Sequence, residues 1–179
     1  MSLSKNHIKL ITSLQQKKYR QKHQLFVAEG IKVVNEFLNS EFTLKQLFVT
    51  ENDLFTTNIS DDKIVLVSDN ELKKISQLKS PNKVLALFVI PEQVELKKNG
   101  LTVVLDEIND PGNLGTIIRL CDWFGVSQLI CSKNTVDCYN QKVVQASMGS
   151  LTRISIFYTD IINFVKNTEL PVFTADMDG

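Results

Sequence analysis

Between Asp106 and Arg119 the chain reads Asp-Glu-Ile-Asn-Asp-Pro-Gly-Asn-Leu-Gly-Thr-Ile-Ile-Arg, directly after the apolar run Leu101-Thr102-Val103-Val104-Leu105. That run reads as a buried parallel strand, Asp110-Pro111-Gly112 as a turn, and Asn113 as the N-cap of a helix. A strand ending in a polar, glycine-bearing turn that opens into a helix is where open α/β sheets bind their ligands. Arg119 interrupts the apolar segment Ile117-Ile118-Arg119-Leu120-Cys121. Its guanidinium stays protonated, so it is a poor base, but its planar fork suits a phosphate oxygen. Two blander uses stand beside this one: a surface ion pair from Arg119 to Asp122 or Glu107, and plain capping by Asn113, worth ~1 kcal/mol. Gly112 and Gly115 allow close backbone approach.

Two further groups of residues bear on binding. Ser147-Met148-Gly149-Ser150 follows a predicted helix; small residues there admit a ligand to the backbone, or Gly149 simply ends the helix in a left-handed conformation. At the N-terminus, residues 1 to 32 carry Lys5, Lys9, Lys17, Lys18, Arg20, Lys22 and Lys32 against Glu29 alone, an excess of six positive charges in a chain of zero net charge. Such asymmetry points to a polyanion or, more simply, to a solvated helix face. Lys17, Lys18, Arg20 and Lys22 would meet the phosphates of such a polyanion, and Tyr19 among them could stack on an unpaired base. Glu29-Gly30 reads as a strand-to-helix turn whose acid favours the helix start.

These residues require a scaffold of alternating elements. Ile8, Ile11 and Leu14 recur at helical spacing, Leu25 to Ala28 reads as a strand, and Ile31, Val34, Phe37 and Leu38 mark a second helix. Strands follow at 44–50, 63–67 and 84–89, with a short helix at 69–77. Pro91 to Gly100 is polar and reads as a linker. The second half repeats the alternation: strand 101–105, helix 113–124, strand 127–131, helix 139–147, strand 153–158, helix 160–166 and strand 171–175. This is the pattern of a doubly wound parallel sheet. The division is therefore a small α/β domain over 1–95 and a second α/β domain over 96–179.

With 179 residues and 43% hydrophobic content, disordered and fibrous classes are excluded. The longest apolar runs fall short of the roughly 20 residues of a membrane span, and no signal peptide is seen, so a cytoplasmic protein without a membrane partner is expected. Cys121, Cys131 and Cys138 lack metal-ligand spacing and read as reduced core fillers. His7 and His23 lie among basic residues and read as surface contacts, so no metal site is expected.

Three segments resemble the SpoU (TrmH-like) RNA 2′-O-ribose methyltransferases of the SPOUT superfamily. Asp110-Pro111-Gly112-Asn113 with Arg119 and the ending Trp123-Phe124-Gly125-Val126 is similar to the family's first motif. Lys142 to Ser150 is similar to its second, with Ser150 where an alanine is usual, and Lys17 to Gly30 is similar to the start of its RNA-binding domain. The resemblance implies methyl transfer from S-adenosylmethionine to a ribose 2′-hydroxyl of RNA, most readily 23S ribosomal RNA, by a homodimer. It implies catalytic roles for Arg119 and Asn113, and cofactor binding at Ser147, Gly149 and Ser150. It also implies a trefoil knot, formed with a third motif of a Gly-x-Glu turn and a Ser-Leu-Asn segment. Neither is found here, so an incomplete knot and a shortened chain are expected. The alternatives are a non-enzymatic RNA-binding protein that has lost the methyl-donor pocket and, further off, an α/β domain for small ligands.

Overall fold

The computed structural model describes residues 3–52, 54–93, 95, 96 and 100–175. Helix α1 (Lys5–Ser13) starts at Ser4, whose hydroxyl accepts from the His7 N–H while the His7 ring accepts from the Ser4 N–H. A second short helix, α2 (Lys17–His23), was not expected as a separate element; left-handed Gln24 ends it. Then come β1 (Leu25–Glu29), α3 (Ile31–Leu38), β2 (Leu44–Val49), β3 (Ile64–Leu66), α4 (Asp69–Ile75) and β4 (Val84–Val89). The four strands lie in the order β1-β4-β2-β3, with β4 antiparallel to both neighbours and β3 parallel to β2.

Alternation along the strands gives this sheet two apolar faces. Leu25, Val27, Phe48, Val65, Leu85 and Leu87 point to one side, where Ile11, Leu14, Leu72 and Ile75 of the α1 and α4 regions cover them. Phe26, Ala28, Leu47, Val84, Ala86 and Phe88 point to the other, where they meet α3 and also residues of the second half of the chain.

That second half contains β5 (Thr102–Leu105), α5 (Pro111–Trp123), β6 (Gln128–Ser132), α6 (Gln141–Ser147), β7 (Ser155–Thr159) and α7 (Ile161–Asn167). Strands β5-β6-β7 form a parallel sheet in register Thr102, Gln128, Ser155. Helix α6 packs against α5 on one side and β1 on the other. One buried cluster therefore runs through both sheets, from Phe26 and Phe37 to Leu114, Val143, Val144 and Leu151. Tyr139, just before α6, lies 4.9 Å from the Phe26 ring. Cys121, Cys131 and Cys138 are free and buried, and burial pushes the Cys131 thiol up to about 12.

Two expectations need correction. Asp110, not Asn113, caps α5: its carboxylate accepts from the Asn113 N–H at 2.8 Å, and Pro111 takes the first helical position, where its missing N–H costs nothing. Residues 171–175 form no strand; Val172 and Phe173 are exposed and pair with no neighbour, so strand propensity is left without a ladder. In the expected linker, 91–93 and 95–96 carry no regular structure, and 94 and 97–99 lie outside the described residues.

Glu29 is not a helix-start acid but a buried carboxylate, 2% exposed, that accepts from Ser76 Oγ, the Gln77 N–H and the Gln141 side-chain amide. It ties β1 to the end of α4 and to α6. Burial raises its pKa above the ordinary 4.5, despite those three donors. A carboxyl raised on folding favours the native state below its unfolded pKa, and that advantage is lost as pH rises through the folded value. Relative to the parent, Glu29→Gln is therefore expected to gain stability as pH rises from 4.5 towards 8, then level off; thermal melts of both proteins across that range check it.

Candidate active site

The turn between β5 and α5 is fastened to the next strand's turn by three contacts. Glu107, left-handed at φ 50, donates its N–H to Ser132 Oγ at 2.8 Å. Its carboxylate accepts from Asn134 Nδ2 at 2.9 Å. The Ile108 carbonyl accepts from the Val136 N–H at 2.9 Å. Ser132 in turn shares a hydrogen with Thr135 at 3.1 Å. A non-glycine residue with positive φ is costly, and it persists where neighbours hold it. None of Glu107, Ser132, Asn134 and Thr135 was identified from sequence, because a left-handed glutamate carries no local signal.

Asn113 sits in the first turn of α5 with its side chain exposed, and Arg119 is exposed further along. Neither blander use of Arg119 is realised. Asp122 is occupied by Arg153, at 2.8 to 3.0 Å from three atom pairs, and Glu107 by Asn134. Among the described residues Arg119 has no ion pair or hydrogen-bond partner, so its five donors are free for a ligand.

Gly115 has a different task from the one expected. A Cβ there would lie 2.4 Å from Ala146 Cβ and 3.0 Å from the Ser147 nitrogen, so the close approach is of α6 to α5 and not of a ligand. The second-motif residues take part in the same joint. Ser147 is fully buried and donates its hydroxyl to the Val144 carbonyl at 2.9 Å. Met148 and Gly149 are both left-handed, at φ 50 and 94. A Cβ on Gly149 would meet Glu36 Cγ at 2.4 Å, which places this turn against α3. Ser150 is buried and hydrogen-bonded to Asp122. As placed, Ser147, Gly149 and Ser150 lie in a packing joint, and Met148 between them is exposed. The Ser147 and Ser150 hydroxyls are engaged within the protein.

The N-terminal basic residues divide. Lys17, Lys18 and Lys22 are exposed on α2, with Lys18 Nζ 4.8 Å from the centre of the Tyr19 ring and Lys17 Nζ 5.6 Å from that of Tyr158. Tyr19 is half-buried and stacks on His23. Arg20, expected to meet RNA, is 3% exposed and fully engaged. Its Nε and Nη2 donate to Asp137 Oδ2 at 2.9 and 2.5 Å, and its Nη1 to the Leu14 and Gln15 carbonyls at 2.8 and 2.9 Å. Position in the helix decides this, since Arg20 faces inward while its charged neighbours face water. Lys17, Gln21 and Gln24 line a cleft of about 610 Å³ whose far wall is β7.

The description "SpoU rRNA Methylase family" matches residues 100–179, and "MRM3-like substrate binding domain" matches residues 5–86. A solved TrmH-family protein from Porphyromonas gingivalis is 34% identical, with a TM-score of 0.85 over 96% of this chain and 70% of its own. The chain belongs to the TrmH/SpoU family. Among its TrmH/SpoU relatives, the AdoMet-bound rRNA methyltransferase from Sinorhizobium meliloti is 29% identical, with a TM-score of 0.78 over 93% of this chain and 66% of that one. The 23S rRNA (guanosine(2553)-2'-O)-methyltransferase RlmP of Bacillus subtilis is 26% identical over 85% of this chain and 61% of its own length. The chain spans 44% of the length of the mitochondrial rRNA methyltransferase 3 proteins of Xenopus that it also matches.

In this TrmH/SpoU chain, Gly115→Ala is expected to lower the melting temperature. Overpacking against backbone costs about 1–3 kcal/mol, against the roughly 1 kcal/mol that alanine gains in a helix. Adding Ala146→Gly should restore part of the loss, which melting of the double variant would show.

Proposed function

We propose that this protein transfers a methyl group to a ribose 2′-hydroxyl of ribosomal RNA, with S-adenosylmethionine as donor. The observation that carries the reading is the free, exposed Arg119 one and a half turns beyond Asn113, on a helix opening from a rigidly tied turn at the strand ends. The rRNA methyltransferase names of the family's relatives, one of them solved with AdoMet bound, support the substrate and the donor.

The donor supplies a methyl group on a sulfonium centre. For the chain's own residues the task is positioning, which can contribute several kcal/mol to such a displacement. Arg119 grips a phosphate oxygen beside the target ribose through paired N–H donors and steadies negative charge as the hydroxyl loses its proton. It does not take that proton, which passes to substrate phosphate or water. Asn113 offers an amide donor and acceptor near the helix N-terminus, where the backbone dipole also favours anionic oxygen. Ser147, Gly149 and Ser150 flank the exposed Met148 in the turn assigned to the donor, with Met148 and Gly149 both left-handed. Lys17, Lys18 and Lys22 bind RNA phosphate, with Tyr19 at the edge of that surface.

The protein works as a homodimer, paired through the outer face of α5. Leu120, Trp123 and Phe124 are 51%, 84% and 74% exposed there, an apolar stripe that water disfavours. Trp123→Glu is expected to convert a dimer into monomers in sedimentation velocity.

The function is tested by transfer of labelled methyl from S-adenosylmethionine to rRNA. Arg119→Ala is expected to lower kcat/KM at least 100-fold, about 2.7 kcal/mol of transition-state binding, with an unchanged melting temperature because Arg119 supports no fold contact. Undiminished transfer would remove Arg119 from the mechanism. RNA binding without any methyl transfer by the parent chain would favour a non-enzymatic RNA binder.

A further inference from the structure

We infer that Arg20 is a positioning residue, through which the RNA-facing helix α2 sets the geometry of the β5–α5 turn. The inference rests on reading that turn as catalytic. The connection is two sets of hydrogen bonds joined by the backbone between Asp137 and Val136. Arg20 lies on the inner side of α2, roughly opposite the exposed Lys18 and Lys22, with the exposed Lys17 at its flank. It holds Asp137 Oδ2 through two donors, and Asp137 Oδ1 accepts from the Tyr139 N–H at 3.1 Å. One residue earlier, Val136 donates its N–H to the Ile108 carbonyl, in the middle of the turn that leads to Asp110 and Asn113. The loop between β6 and α6 thus touches both the arginine of one half and the candidate turn of the other.

A second support makes the loop rigid enough to transmit position. The Tyr158 hydroxyl donates to the Val136 carbonyl at 2.7 Å and accepts from the Cys138 N–H at 2.8 Å. The loop is therefore gripped from β7 by Tyr158 at Val136 and Cys138, and from α2 by Arg20 at Asp137 between them. Displacement of α2 when its outer lysines bind phosphate reaches Ile108 through two side-chain contacts and one backbone bond. Arg20 also anchors α2 itself, through the Leu14 and Gln15 carbonyls. A lysine would keep the charge but not this four-bond fork.

Hydrogen exchange on the full chain tests the coupling, because it does not require methyl transfer. Three protected amides report it: Glu107 on Ser132, Asn113 on Asp110, and Val136 on Ile108. In Asp137→Asn and Tyr158→Phe these amides are expected to exchange at least 10-fold faster, while amides of β4 exchange as in the parent. Kinetics with rRNA then read the consequence: Arg20→Lys and Tyr158→Phe should lower kcat at least 10-fold with KM for RNA changed less than 3-fold. Unchanged exchange at all three amides in a folded variant would overturn the coupling. A rise in KM with kcat preserved would also overturn it and make Arg20 an RNA-affinity residue. If Asp137→Asn does not fold, Arg20→Lys decides through the same amides. Absence of methyl transfer in the parent protein would defeat the reading of the turn as catalytic, and the exchange result would still decide whether α2 is coupled to it.

Discussion

Helix α6 is confined between α5 and β1, and the rest of the molecule depends on that confinement. The approach is possible because Gly115 presents no Cβ to Ala146. With α6 so close, Val143 and Val144 can complete one face of the N-terminal sheet, and the two sheets share a single buried cluster. Apolar burial of this kind is strong but non-directional, so by itself it leaves the relative orientation of the halves loosely specified.

Polar contacts around α6 supply the direction. Arg20 reaches Asp137 before the helix, Glu29 reaches Gln141 at its start, and Glu36 meets Arg153 beyond its end at 2.8 Å. These bridges are unequal. The Arg153 pair is about half exposed and adds little, as surface pairs do. Arg20 and Glu29 are almost wholly enclosed; loss of Asp137 would leave the Arg20 charge uncompensated, which costs about 3–5 kcal/mol, and loss of Gln141 would strip a neutral donor from the Glu29 carboxyl. Such groups penalise every docking geometry except the one that satisfies them.

Much of the scaffold was legible in the sequence because periodicity survives into structure. The strand at 84–89 and the helix that ends in the Ser147 turn lie where the apolar pattern placed them. The cap of α5 was misplaced by three residues, because Asp110 and Asn113 are both good caps and only the position of Pro111 at the first helical site separates them. Residues 171–175 show the opposite limit: strand propensity needs a partner strand, which local sequence does not report. The candidate site was read unevenly for the same reason. Arg119 stood out as a charge within an apolar segment, whereas Glu107 is informative only through its positive φ and Ser132 only through its bond to Glu107. The packing role of Ser147 and Gly149 depends on Glu36 and Gly115, each far away in sequence.

Arg20 and Arg119 show why residue type alone could not assign function. Both are arginines in motif-like settings, and both read as phosphate ligands. Arg20 has all its contacts inside the protein, so its fork is spent on two carbonyls and one carboxylate. Arg119 is exposed and has no hydrogen bond or ion pair among the described residues, so folding does not satisfy its donors. A guanidinium left in water on the shoulder of a fastened turn contributes almost nothing to stability, and a phosphate that enters finds its donors already free. The buried arginine therefore fixes the frame, and the exposed one remains available for chemistry.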